Sequence, residues 1–103
     1  MAWTVEFTGK AQKQYARLPE KIRLIVAALT AELETEGPSQ PEWRHFGKLK
    51  GSADCYHCHL KTGRPTYVAC WQVLDRKIEL MEVYYVGSHE SAPYWPGRHI
   101  DLE

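Results

Sequence analysis

Apolar and polar residues change their rhythm several times along this chain. Trp3, Val5 and Phe7 alternate with Thr4, Glu6 and Thr8, the two-residue period of a strand with one buried face. Thr8 then suits the N-cap of a helix. In that helix Ala11, Tyr15 and Leu18 fall on one side, and Lys10, Lys13 and Arg17 lie elsewhere. Pro19 ends it and fits the first turn of a second helix. There Ile22, Ile25, Val26, Leu29 and Leu33 repeat at helical spacing until Gly37-Pro38 stops them. The two helices form a hairpin. Residues 38–53 are punctuated by Pro and Gly and read as a connection. Three β-rich runs follow, over about 54–61, 65–74 and 77–86, with turns at Thr62-Gly63-Arg64-Pro65 and Asp75-Arg76. A strand, a helix hairpin and a three-stranded antiparallel meander make an α+β fold with a curved sheet.

The expected organisation is one domain over 1–103. The tail from 88 is partly irregular, and Leu102-Glu103 reads as a cloning remnant. With 103 residues and 44% hydrophobic composition, the core is just large enough to fold without staples. No apolar run approaches the roughly 20 residues of a membrane span. The N-terminus lacks the basic and apolar regions of a signal peptide. Cys55, Cys58 and Cys70 are odd in number, which argues against a disulfide scaffold and for a reducing cytoplasm.

Charge changes the picture locally. Thirteen Lys+Arg balance thirteen Asp+Glu, which excludes a uniformly basic nucleic-acid binder. Yet residues 43–64 hold Arg44, Lys48, Lys50, Lys61 and Arg64 against the single acid Asp54, while Glu32, Glu34, Glu36 and Glu42 concentrate the negative charge elsewhere. A neutral chain can therefore present a basic face.

The same stretch contains Asp54-Cys55-Tyr56-His57-Cys58-His59-Leu60. On a strand Tyr56, Cys58 and Leu60 share the core face, and Cys55, His57 and His59 share the other, which is expected to be exposed. Two residues of strand rise put the imidazoles about 7 Å apart. Three readings fit: polar residues on a solvated sheet, zinc ligation by Cys55, His57 and His59, or acid/base groups beside a cationic phosphate site. Zinc is disfavoured because no second Cys/His cluster supplies the usual spacing. His45 and His99 read as surface or packing residues, and Trp43 and Trp71 as packing. Tyr94 and Trp95 suit the cover of a sheet edge, and Lys50 suits a solvated position.

Several motifs in order resemble one family. They are Trp3-Thr-Val-Glu-Phe-Thr-Gly-Lys-Ala-Gln-Lys-Gln, Leu18-Pro-Glu-Lys-Ile-Arg, Gly47-Lys-Leu-Lys-Gly51, the His57/His59 strand, Gly63-Arg-Pro-Thr-Tyr-Val-Ala-Cys-Trp-Gln-Val73, and Tyr85-Val-Gly-Ser-His-Glu90 followed by Tyr94. Together, over residues 2–95, they resemble the RelE/ParE superfamily of type II toxin–antitoxin toxins, most closely its RelE-type branch of cytotoxic translational repressors.

The resemblance implies a curved antiparallel sheet with two helices packed on one side, and a cytoplasmic toxin that cleaves mRNA at the ribosome without a cofactor or metal. It also implies inhibition by a cognate antitoxin in a hetero-oligomer, and no membrane partner. It places Lys50 at the family's basic residue in its "K-L-R-G" stretch, His57 and His59 where RelE has two lysines, His89 where RelE has an arginine, and Tyr94 at the terminal tyrosine. His57, His59, His89 and Tyr94 are thus the implied catalytic set. Lys48, Lys50, Lys61 and Arg64 are the implied substrate-binding set. An inserted pair near Arg64-Pro65 departs from the family, and strict alignment puts Val68 at its phosphate-binding arginine. Two alternatives keep the fold and lose the reaction: a ParE-like inhibitor of DNA gyrase, and an inactive relic that only binds its antitoxin.

Overall fold

A computed structural model describes residues 2–49 and 54–92. Lys50, Tyr94, Trp95 and His99 lie outside the described residues.

The chain runs β1 (Thr4–Phe7), α1 (Gly9–Arg17), α2 (Glu20–Glu36), β2 (Gly47–Lys48), β3 (Cys55–Lys61), β4 (Tyr67–Asp75) and β5 (Leu80–Ser88), then a 3₁₀ turn at His89–Ser91. Thr8 caps α1 as its sequence position suggests, its Oγ1 accepting from Ala11 N at 3.0 Å. Gly37 ends α2 at φ 93°, a conformation that glycine adopts without strain.

The strands form one five-stranded sheet in the order β1-β5-β4-β3-β2. The expected meander is its antiparallel centre. β1 joins the far edge parallel to β5, with Thr4 opposite Leu80. The helix hairpin between β1 and the meander supplies the crossover that such parallel pairing needs. The connection read over 38–53 also contributes a strand, since Gly47 and Lys48 pair with His57 and Tyr56. Two residues are too few to show an alternating pattern, so that strand was not legible. The last strand starts at Leu80, later than the run read from about 77. Asp75 Oδ1 accepts from Lys77 N at 2.8 Å and Ile78 N at 3.3 Å, and Glu79 takes φ 53°, which lengthens the turn.

Ile22, Val26, Leu29 and Leu33 of α2 pack with Ala11 and Leu18 against Tyr56, Cys58, Leu60, Ala69, Trp71, Val73, Met81, Val83 and Val86 of the sheet. Trp71 is wholly buried, and its Nε1 donates to Pro38 O at 3.0 Å. Phe46, Tyr56 and Trp71 stack mutually, with ring centroids 5.9–6.2 Å apart. That stack fastens the end of the 38–46 loop to the sheet.

The opposite sheet face differs from the exposed surface expected of it. Cys55, Val68, Cys70, Tyr84 and Tyr85 form a second buried cluster, covered by Leu49 and Ala92. The cover comes from chain on either side of the meander, so strand parity alone could not reveal it.

Candidate active site

β3 is an inner strand, and its His57 and His59 stand half-buried on the face away from the helices. Across β3, His57 faces Gly47 on one side and Cys70 on the other. Gly47 leaves room for the ring: a Cβ there would stand 3.3 Å from His57 Nε2. His59 faces Val68 on β4, and its backbone N–H donates to Arg44 O at 2.8 Å. That hydrogen bond brings the 38–46 loop onto β3. His45 turns there through φ 54°, uncommon for a residue with a side chain.

The turn lays the His45 ring against His59, with centroids 4.3 Å apart and planes at 39°. His59 also meets His89 edge to face, with centroids 5.2 Å apart and planes at 66°. His89 is held just past β5 by its N–H, which donates to Thr66 O at 2.8 Å. The three sequence-expected histidines are therefore joined by a fourth, His45, which the sequence reading assigned to surface or packing. It is exposed, yet its ring lies against that of His59. The signal for it was a histidine just before a chain segment returning to the His57/His59 strand, but nothing in the sequence showed that return.

Burial and mutual repulsion act together on these rings. Desolvation lowers the His57 pKa, and like charge on His89 and His45 lowers it further. For His59 desolvation again leads, followed by His45, His89, His57 and the Arg44 guanidinium. Both imidazoles thus favour the neutral, proton-accepting form. His59 Nδ1 is shielded from solvent and makes no hydrogen bond among the described residues.

The basic residues disperse. Arg64 lines a pocket of about 550 Å³ with Thr66, Ser88, His89 and Glu90, so it shares a hollow with one of the imidazoles. Lys61 is exposed at the end of β3 near Gly63, its Nζ 3.6 Å from where a Gly63 Cβ would stand. Lys48 lies opposite Tyr56 and makes a 3.5 Å ion pair with Asp54. Arg76 grips the same carboxylate through two 3.1 Å hydrogen bonds. These bonds hold Asp54 below the usual carboxylate range. Val68, at the aligned arginine position, is wholly buried as an apolar floor.

The zinc alternative gains nothing from this geometry. Cys55 is sealed into the cluster with Val68 and Cys70, and among the described residues no group of three His, Cys, Asp or Glu could hold a metal ion. Burial also holds two of the thiols in their protonated form. Desolvation pushes Cys58 up to about 12 and raises Cys70 as well.

No family model and no curated protein matches the chain. Solved structures do. A double-arginine variant of the Escherichia coli toxin RelE in the free state superposes with a TM-score of 0.71 at 26% identity, covering 91% of this chain and 90% of that one. The intact E. coli RelBE toxin–antitoxin complex gives 0.65 at 28% identity, covering 84% and 96%. The archaeal RelE–RelB complex of Pyrococcus horikoshii gives 0.70 at 19% identity, covering 89% and 100%.

The chain has the fold of the RelE-type toxins of toxin–antitoxin systems.

On this RelE-like scaffold the histidine row occupies the sheet face opposite the helix hairpin. No helix among the described residues is long and apolar enough to cross a membrane.

Proposed function

We propose that this RelE-like protein is a cytoplasmic endoribonuclease toxin that cleaves mRNA, at the ribosome, and so inhibits translation until a cognate antitoxin binds it. The observation that carries the reading is the contact of His59 with His89 beside the Arg64 pocket. It sets two proton-transfer groups next to a cation on one face. Relatives solved with RelB support an antitoxin partner.

The chemistry follows from what these side chains can do. Neutral His59, or His57 beside it, takes the proton of a ribose 2′-OH. The oxygen attacks the adjacent phosphorus, and the P–O5′ bond breaks as His89 gives its proton to the leaving oxygen. The products are a 2′,3′-cyclic phosphate and a 5′-OH, and protons balance between the two imidazoles without a metal ion. A depressed pKa suits the base, because it is then unprotonated near neutrality. Arg64 and Lys50 hold the phosphate, with electrostatic help of the kind that dominates such reactions. Lys48 and Lys61 guide the strand, and Tyr94 stacks on or orients a nucleobase or a histidine.

Primer extension on a reporter mRNA after induction tests the reading. Cleavage with 2′,3′-cyclic ends is expected, and each positioned proton-transfer group contributes about 10²–10⁴-fold. His59→Ala combined with His89→Ala should therefore abolish cleavage and growth inhibition. Intact mRNA together with a DNA-damage response in cells expressing the wild type would instead indicate gyrase inhibition.

A further inference from the structure

The turn that carries His45 is built, not incidental. Its backbone holds a left-handed conformation at φ 54°. Phe46 N donates to Trp43 O at 3.1 Å inside the turn, and His59 N donates to Arg44 O at 2.8 Å across to β3. Trp43 Nε1 donates to Glu32 Oε1 at 2.8 Å, and Phe46 stacks on Tyr56 and Trp71. The turn is thus fastened both to α2 and to the sheet core, and the element so fixed lays an imidazole 4.3 Å from His59.

A solvated surface histidine needs none of this anchoring. A metal ligand would need partners with ligating geometry, and the described residues provide no such group. What the arrangement does provide is two ring contacts on His59, a tilted one from His45 and an edge contact with His89.

We propose that His45 is a positioning residue of the same site: its ring, packed against that of His59, fixes the rotamer in which His59 meets His89. This rests on the nuclease reading only for the consequence in catalysis. The physical coupling of the two rings stands without it.

The groups facing His59 can be named from each side. His57 shares β3, Arg44 and His45 come from the turn, His89 follows β5, and Val68 is the apolar neighbour on β4. All the charged members of this set are cationic when protonated. Each protonation among them therefore makes the next harder. His45 is in ring contact with His59, and it leads the charge contributions to His59. Removing it should let His59 hold its proton to higher pH.

The test is a titration of the ¹³C-labelled histidine rings of the full chain by NMR, without RNA, for wild type, His45→Phe and His45→Asn. Phe keeps a ring and removes the charge. Asn removes both and tolerates the left-handed backbone, so it guards against a folding failure of the Phe variant. The His59 midpoint is expected to move upward in both variants. The ring-current shift of the His59 protons should persist in His45→Phe and shrink in His45→Asn, where the contribution of the His89 ring remains.

In cleavage assays the acidic limb of the rate profile should move to higher pH in both variants. His45→Asn should also lose about tenfold at its plateau, less than the 10²–10⁴ of a proton-transfer group. A His59 midpoint and ring-current shift unchanged in both variants would overturn the proposal, whether or not the wild type cleaves RNA. A wild type that cleaves no RNA while the titration moves as stated would leave the ring coupling standing and remove only its catalytic use.

Discussion

His59 and His89 meet edge to face at 5.2 Å although one stands on an inner strand and the other follows the last strand of the sheet. The contact exists because β4 lies between β3 and β5 and Thr66, just before β4, accepts the His89 N–H. Half-buried His57 and His59 and the exposed rings of His45 and His89 then stand close together, and their protonation states become coupled.

Coupling of this kind shows in stability. The folded pKa values of His57 and His59 lie below their unfolded value of about 6.5. The unfolded chain therefore binds more protons as the pH falls. Stability is fully present above about pH 6.5 and is lost as the pH drops through and below it. Thermal melts from pH 8 to pH 5 should show Tm falling on the acid side. The fall should be shallower in His57→Gln and His59→Gln, and an equal slope in all three proteins would contradict the shifts.

Gly47 is a close-approach position. A methyl group there would stand 3.3 Å from His57 Nε2, tight enough that the ring must give by a few tenths of an ångström. Gly47→Ala should therefore leave Tm nearly unchanged and lower the cleavage rate by up to about tenfold. Misplacement by a full ångström can cost about 10²-fold. A rate equal to wild type would show that the His57 ring is free to move or takes no part.

Gly87 and Tyr85 form a second tight pair. The Tyr85 hydroxyl donates to Ser88 O at 2.7 Å, and a Cβ on Gly87 would lie 2.7 Å from that hydroxyl and 3.0 Å from Cζ. Gly87→Ala should destabilise by about 1–3 kcal/mol, the usual range for overpacking. In a Tyr85→Phe background the penalty should shrink but not vanish, since the ring carbon remains close. Denaturant melts of the four proteins in this cycle measure the difference, and strict additivity would refute the clash.

Much of the scaffold was legible. The two-residue alternation at Trp3–Phe7, the cap at Thr8, the stripe from Ile22 to Leu33 and the stop at Gly37 are local effects, and each appears where the residues imply. The core face of β3 was legible too, since Tyr56, Cys58 and Leu60 are all buried. Less was visible where distant segments meet. Cys55 on the opposite face is as buried as the core because Leu49 and Ala92 help to cover its cluster. Lys48 reads as a free cation in sequence, yet it is drawn to Asp54, which Arg76 also holds.

By itself the sequence determined the two helices, the first strand and the meander, their order, the helix-facing core and the parity that sets His57 and His59 on one side of a strand, but not the two-residue β2. These depend on periodicity, capping and turn chemistry within a few residues, which any reader of the chain can apply. The tertiary structure alone decided that β1 pairs with β5, that His45 and His89 both touch the His59 ring, and that Arg64 rather than Lys48 shares a hollow with an imidazole. Those outcomes depend on which remote backbone groups satisfy one another, as Arg44 O does for His59 N and Thr66 O for His89 N, and no local pattern encodes such pairings.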